Sequence, residues 1–240
     1  MQLSVIRDNI KQSLFEDGIH RDDTFINLAI NEGYKLVALL TLFDERRKSL
    51  NVDGSRNFNT LPTDSGAYCI APLYVANSHT GARISPAALD EFEFYASAWE
   101  GQVDTSGNAL YYMSMSQFHE ALHTLVLCPI QNIGRTQITL IGAYIPVSMS
   151  SDTDDPRLPE EFQDVLFYYA RFYAMVGEIG RADDALVEYK LFIQRLNALI
   201  VDIRARFPSG RDYEPWPVEF VYSNVTARQQ EEEQPKETKE

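Results

Sequence analysis

The sequence predicts an α+β fold: a helical bundle built from N- and C-terminal helices, with a β-rich, sandwich- or barrel-like domain inserted between them. Three observations carry this expectation. Pro156 to Phe207 holds two apolar stripes of helical period separated by a break near Gly177 to Arg181, and the first 43 residues hold two more. From Asp44 onward the texture changes to β-branched and aromatic runs cut by turn residues every eight to twelve positions. The expected boundaries are 1–43 and 155–207 for the bundle, 44–154 for the insert, 208–227 for an extended arm and 228–240 for a disordered tail.

In the N-terminal pair, Leu3, Ile6, Ile10 and Leu14 draw a narrow apolar seam, with Arg7, Asp8, Lys11 and Gln12 facing away, so residues 3–15 read as a surface helix. Gly18 ends it, and Asp22 or Asp23 caps the next. That second helix carries Phe25, Ile26, Leu28, Ala29, Leu36, Val37, Leu39 and Leu40, so many apolar positions that burial on nearly all sides is expected. Gly33 in its middle costs up to about 1 kcal/mol relative to Ala. A closely packed backbone at that point is the expected reason.

In the insert, strands are predicted at Ser49 to Val52, Tyr68 to Val75, Ala109 to Met115, Leu122 to Cys128 and Gln137 to Ile145. One helical interlude is expected, with Ser85 as cap, Pro86 at the first helical position, and Leu89 and Phe92 on its apolar face. The nearby Phe92, Phe94, Tyr95 and Trp99 read as core or interface, the usual places for buried aromatic surface.

The polar, Pro-bounded stretch from Ser148 to Leu158 marks the return to the helical layer. Pro159 suits a first helical position, and Glu160 and Glu161 place negative charge at the positive end of the helix dipole. Phe162, Val165, Leu166, Tyr169, Tyr173 and Val176 form one stripe; Ala182, Leu186, Tyr189, Ile193, Leu196, Ile200 and Ile203 form its antiparallel partner. Tyr168, Tyr169, Arg171, Phe172 and Tyr173 crowd more aromatic surface onto one helix than a single stripe buries, which makes them candidate interface residues. Beyond Phe207, Tyr213, Trp216, Phe220 and Tyr222 lie among prolines, in a segment too apolar for a free tail and too Pro-rich for a helix. It reads as an arm that docks, followed by a charged, low-complexity end.

Composition limits function. With 35 Asp plus Glu against 21 Lys plus Arg, the formal charge is -14. Such a surface repels phosphate and argues against a DNA-coating or sequence-reading role, though not against DNA passing nearby. Two cysteines, Cys69 and Cys128, each lie inside an apolar run and are expected as free, buried thiols. No stretch approaches the ~18 uninterrupted apolar residues of a membrane span, and the start has no signal-peptide shape, so a protein made and kept in a cytoplasm is expected.

One motif looks catalytic. His119-Glu120-Ala121-Leu122-His123 matches H-E-x-x-H, in which two histidines four apart on a helix bind zinc and the glutamate polarises a water. A zinc-dependent metallohydrolase is therefore the alternative from the enzyme class. Against it, Thr124 to Cys128 is strand-like and ends at Pro129, and no third histidine follows. We assign no catalytic, metal or cofactor residues. The cluster Asp152, Asp154 and Asp155 lacks the Gly and distal Glu of an EF-hand loop and reads as a solvated loop.

The layout nonetheless points somewhere. Two N-terminal helices carry Asn31-Glu32-Gly33-Tyr34, the β section opens with Phe58-Asn59-Thr60-Leu61-Pro62, its closing strand ends Tyr144-Ile145-Pro146, and Leu158-Pro159-Glu160-Glu161-Phe162 enters a tyrosine-rich helix. Over about residues 1–207 this resembles the head-to-tail adaptor (connector ring) proteins of tailed bacteriophages. The resemblance implies a non-enzymatic virion protein of the neck, synthesised in the host cytoplasm and needing no cofactor. It further implies a homo-oligomeric ring, a dodecamer, that binds the portal protein and the next tail or nozzle protein, with DNA passing through and no membrane involved. Another phage neck or tail structural subunit is the nearest alternative.

Overall fold

The computed structural model describes residues 1–51, 58–87, 103–104, 111–116, 123–128, 130–131, 137–206, 212 and 215–219. Among these, the helices are α1 (Leu3–Glu16), α2 (Asp23–Thr41), α3 (Asp164–Val176) and α4 (Ala182–Arg206). The strands are β1 (Glu45–Asn51), β2 (Phe58–Thr60), β3 (Thr63–Asp64), β4 (Ala67–Asn77), β5 (Arg83–Pro86), β6 (Val103–Asp104), β7 (Tyr111–Ser116), β8 (His123–Cys128), β9 (Ile130–Gln131) and β10 (Gln137–Ile145). The chain is thus mixed α+β.

α1 buries Leu3, Ile6, Ile10 and Leu14, the seam its spacing predicts. Gln2 supplies no side-chain cap. The loop before α3 caps the helix instead: Leu3 N–H donates to the Asp154 carbonyl at 2.8 Å and Ser4 N–H to the Asp152 carbonyl at 3.2 Å. Asp22 caps α2 by accepting from the Phe25 N–H at 2.7 Å, a bond worth about 1 kcal/mol. Contrary to expectation, α2 is not buried all round. It packs against α1, α3, α4 and β10, while Leu28 and Leu39, three turns apart on one face, stay 50% and 52% exposed.

Gly33 is explained by a ring, not by the expected backbone. A Cβ there would stand 2.6 Å from Cδ1 of Tyr169. The entry to α3 also differs from the reading, because Pro159 precedes a single 3-10 turn, Glu160–Phe162, and the α-helix proper begins at Asp164. The buried stripe also differs from the reading, because packing against α2 and α4 selects another face. Val165, Leu166, Ala170, Ala174 and Met175 face the core, while Tyr173 and Val176 are exposed. α4 buries Ala185, Phe192, Ile193, Leu196, Leu199, Ile200 and Ile203 against α3.

The main sheet runs β1-β10-β4-β5-β7-β8-β2, with β3 pairing β4, and curls into a half-barrel. Its pairings are antiparallel except β5 with β7. A separate parallel pair joins β6 and β9. Register shifts between Ile141 and Gly142, and again between Ala143 and Tyr144, bend β10 against β4. At the first of these a Cβ on Gly142 would meet the Cys69 sulfur at 2.4 Å, so only glycine fits. Cys69 is free and buried, and burial pushes its thiol up to about 12. Ser85 and Pro86 lie in β5 and do not open a helix; Leu89, Phe92, Phe94, Tyr95 and Trp99 lie outside the described residues.

The helices enclose one apolar cluster and the sheet another. Polar contacts join the layers. Asn31 exchanges two hydrogen bonds with the Met149 backbone, at 2.9 and 2.6 Å, and the Tyr34 hydroxyl accepts from Arg157 N–H at 2.8 Å. Buried Asp44, at the α2–β1 corner, accepts from Arg46 at 2.7 Å and Arg157 at 3.1 Å. Its carbonyl accepts from the Tyr144 N–H at 2.9 Å.

Candidate interaction surfaces

The aromatic residues singled out on α3 divide into two groups. Tyr169, Phe172, Tyr189 and Phe192 pack on one another, with centroids 4.8 Å apart for Phe172–Tyr189 and 5.2 Å for Tyr169–Phe192. Tyr168 meets Phe167 edge-on at 5.7 Å, half-buried. These rings line the seam between helices, and burial raises the Tyr169 hydroxyl pKa. Tyr173 is different. It leans on Phe25 at 5.6 Å yet is 38% exposed, and the next turn continues outward with Val176 at 61% and Ile179 fully exposed.

Arg171 is committed within the subunit. Its guanidinium lies 2.9 Å from Asp17 and 2.9 Å from Glu188, tying the end of α1 to α4. Glu188 is nearly buried, and desolvation raises its carboxyl despite the opposing pull of Arg171. A buried carboxylate needs that partner, so Arg171 holds the helices in register.

The described part of the arm docks on its own subunit. Asp212 N–H donates to the Leu73 carbonyl on β4 at 2.8 Å, and the Asp212 carboxylate accepts from the Tyr112 hydroxyl at 2.6 Å and from Arg83. Six residues later the Asn197 side chain on α4 accepts from Val218 N–H at 2.8 Å and donates to the Val218 carbonyl at 3.0 Å. The arm therefore bridges the sheet and α4. Between the two clamps Trp216 stands 80% exposed, flanked by Pro215 and Pro217. Tyr213, Phe220 and Tyr222 lie outside the described residues.

Sequence reasoning missed both clamps. Asn197 does carry a signal, a polar amide beside the apolar stripe of Ile193, Leu196 and Ile200. Nothing local marks Asp212 or Tyr112, which meet across 100 residues of chain.

On the opposite side of the helical layer, α1 and α3 border a groove of about 390 Å³. Met1 and Phe167 give it apolar surface, and Ser13, Glu16 and Asp164 give it polar groups. Asp164 is held from α4 by Arg195.

The H-E-x-x-H histidines do not share a described helix. His123 begins β8, where it is registered with Ser116 of β7, and His119 and Glu120 lie outside the described residues. In a strand, residues four apart share a face but stand ~13 Å apart, too far to ligate one ion as the helical signature does. The acidic loop is occupied by structural contacts. Asp154 accepts from Ser151 and Ser150 N–H groups, which lower its pKa, while Asp152 holds Arg7 at 2.7 Å and Asp155 lies 3.3 Å from the Met1 amine. Among the described residues no three His, Cys, Asp or Glu side chains are grouped to hold a metal ion. Nor is any described helix long and apolar enough to cross a membrane.

What the geometry offers is therefore surface: open aromatics, a pinned arm, a lateral groove. Comparison with curated proteins finds no match. A family model described as SU10 adaptor protein matches residues 1–213, the span that includes the four described helices, the described strands and the sheet clamp of the arm. The chain accordingly belongs to the SU10 adaptor protein family, a family of phage head-to-tail adaptors, and is a phage structural adaptor.

Proposed function

We propose that this adaptor forms a ring, of twelve copies, between the portal protein and the next tail or nozzle protein, and that the genome passes through its lumen. The observation that carries the reading is the open apolar surface of the helical layer. Tyr173, Val176 and Ile179 are exposed together at the α3–α4 turn, Leu28 and Leu39 along α2, and Trp216 on the arm, in a chain whose net charge of -14 otherwise favours water. Apolar surface clustered in this way marks contacts with other subunits. A helical bundle of residues 1–43 and 155–207 carrying an inserted unit, 44–154, fits a ring subunit that presents different parts to different partners. Acidic side chains facing the lumen would leave DNA ungripped, since phosphate binding needs Lys and Arg.

Tyr168, Tyr169, Arg171, Phe172 and Tyr173 are proposed as a unit in which Arg171 and the half-buried rings set the shape of a surface whose outer edge is Tyr173. Tyr213, Trp216, Phe220 and Tyr222 are proposed to extend that contact along the arm. Mass measurement and electron microscopy of the purified protein, alone and mixed with portal, test the reading. Closed rings, free or on portal, support it. A protein that stays monomeric in the presence of portal overturns it.

A further inference from the structure

The arm and the groove lie on opposite flanks of the helical layer. Arg195, which holds Asp164 at the rim of the groove, and Asn197, which holds Val218 of the arm, are two positions apart on α4. At 3.6 residues per turn their side chains diverge by ~200°. Trp216 cannot reach its own groove, because the arm is pinned at Asp212 and Val218 on the far flank.

We infer that Trp216 of one copy seats in the α1–α3 groove of the next, making this pair the lateral lock of the ring; the inference rests on the ring reading above. A heterologous contact joins two different patches of identical subunits, and a knob and a socket on opposite flanks are what it requires. The knob is prepared. Pro215 and Pro217 fix the backbone on either side of Trp216, and the two clamps fix the arm, so little conformational freedom remains to be lost on docking. The socket suits an indole. At about 390 Å³ it has room for the bicyclic ring, with Met1 and Phe167 for its faces and Ser13 and Glu16 as acceptors for its N–H. A second copy is the occupant because the same chain displays both halves, each without an intrachain partner for the other.

The test uses the full chain with portal as template. Trp216→Ala removes an exposed side chain, so folding is unaffected, and ring formation should need at least tenfold more protein. Asn9→Trp, which fills the socket from the exposed face of α1, should do the same while leaving Trp216 intact. Trp216→Cys combined with Ser13→Cys should give an oxidised ladder of covalent oligomers that neither single variant gives. Rings that form at wild-type concentration in both Trp216→Ala and Asn9→Trp, with no ladder in the double cysteine variant, overturn this contact and leave the ring reading intact. Wild-type protein that never assembles with portal overturns both.

Discussion

Arg171 on α3 and Glu188 on α4 face each other at 2.9 Å across a seam where both side chains are almost fully withdrawn from water. The same guanidinium also holds Asp17 at 2.9 Å, so one cation serves three helices. Because the Glu188 pKa is raised in the folded state, its contribution to stability is complete below the ordinary glutamate value and falls as pH rises through the shifted one. Arg171→Ala leaves that carboxylate uncompensated and should cost about 3 kcal/mol at neutral pH. The cost should shrink as pH is lowered, since protonated Glu188 needs no counter-charge. Glu188→Gln should change stability by no more than about 1 kcal/mol. Urea unfolding of the three proteins at neutral and mildly acidic pH checks both the magnitudes and the sign.

Gly33→Ala ought to stabilise a helix by up to about 1 kcal/mol on propensity alone. Here the new methyl would lie 2.6 Å from the Tyr169 ring, which is wedged against Phe172, Tyr173 and Phe192. A net loss of ~1–3 kcal/mol is expected from overpacking. Tyr169→Leu in the same chain should recover part of it. Thermal melts of the single and double variants decide between clash and propensity.

The arm should open locally before the subunit unfolds. Asn197→Leu removes both hydrogen bonds to Val218, so amide exchange at Val218 should rise at least tenfold, which corresponds to a loss of about 1.4 kcal/mol. The amides of Ile30 and Leu196, in the helical core, should keep their protection. Hydrogen exchange read residue by residue checks this.

The corner between α2 and β1 depends on Asp44, whose side chain is 3% exposed and holds both Arg46 and Arg157. Asp44→Ala should cost about 3 kcal/mol, because Arg46 is left buried without its closest carboxylate. Arg157→Ala should cost about 1 kcal/mol or less, since Arg157 is 56% exposed. Denaturant midpoints compared at low and high salt should show the Arg157 effect fading and the Asp44 effect persisting.

What the sequence made legible was what repeats locally. The α1 seam, the Asp22 cap, and β4, β7, β8 and β10 follow from periodicity and capping chemistry, and the structure has them within a few residues. The errors have physical causes. β5 was hidden because Ser85-Pro86 also suits a helix start, and a parallel pairing with β7 settled the matter from 26 residues away. β2 and β3 are too short to show alternation. Leu28 and Leu39 read as core because composition cannot say which side of an apolar helix lacks a neighbour. The groove was invisible for a related reason, since it lies between α1 and α3, elements that only the fold brings together.

One consequence follows from the order of the main sheet. β1 stands at its rim, and its outward row of peptide groups could template strand addition by any other chain. Arg46, Arg47 and Lys48 occupy the middle of that strand; Asp64 neutralises the first and third, and Arg47 is exposed, with no carboxylate partner among the described residues. Two rims brought together would set the Arg47 side chains against each other. Arg47 is therefore expected to disfavour edge-to-edge pairing of two such sheets.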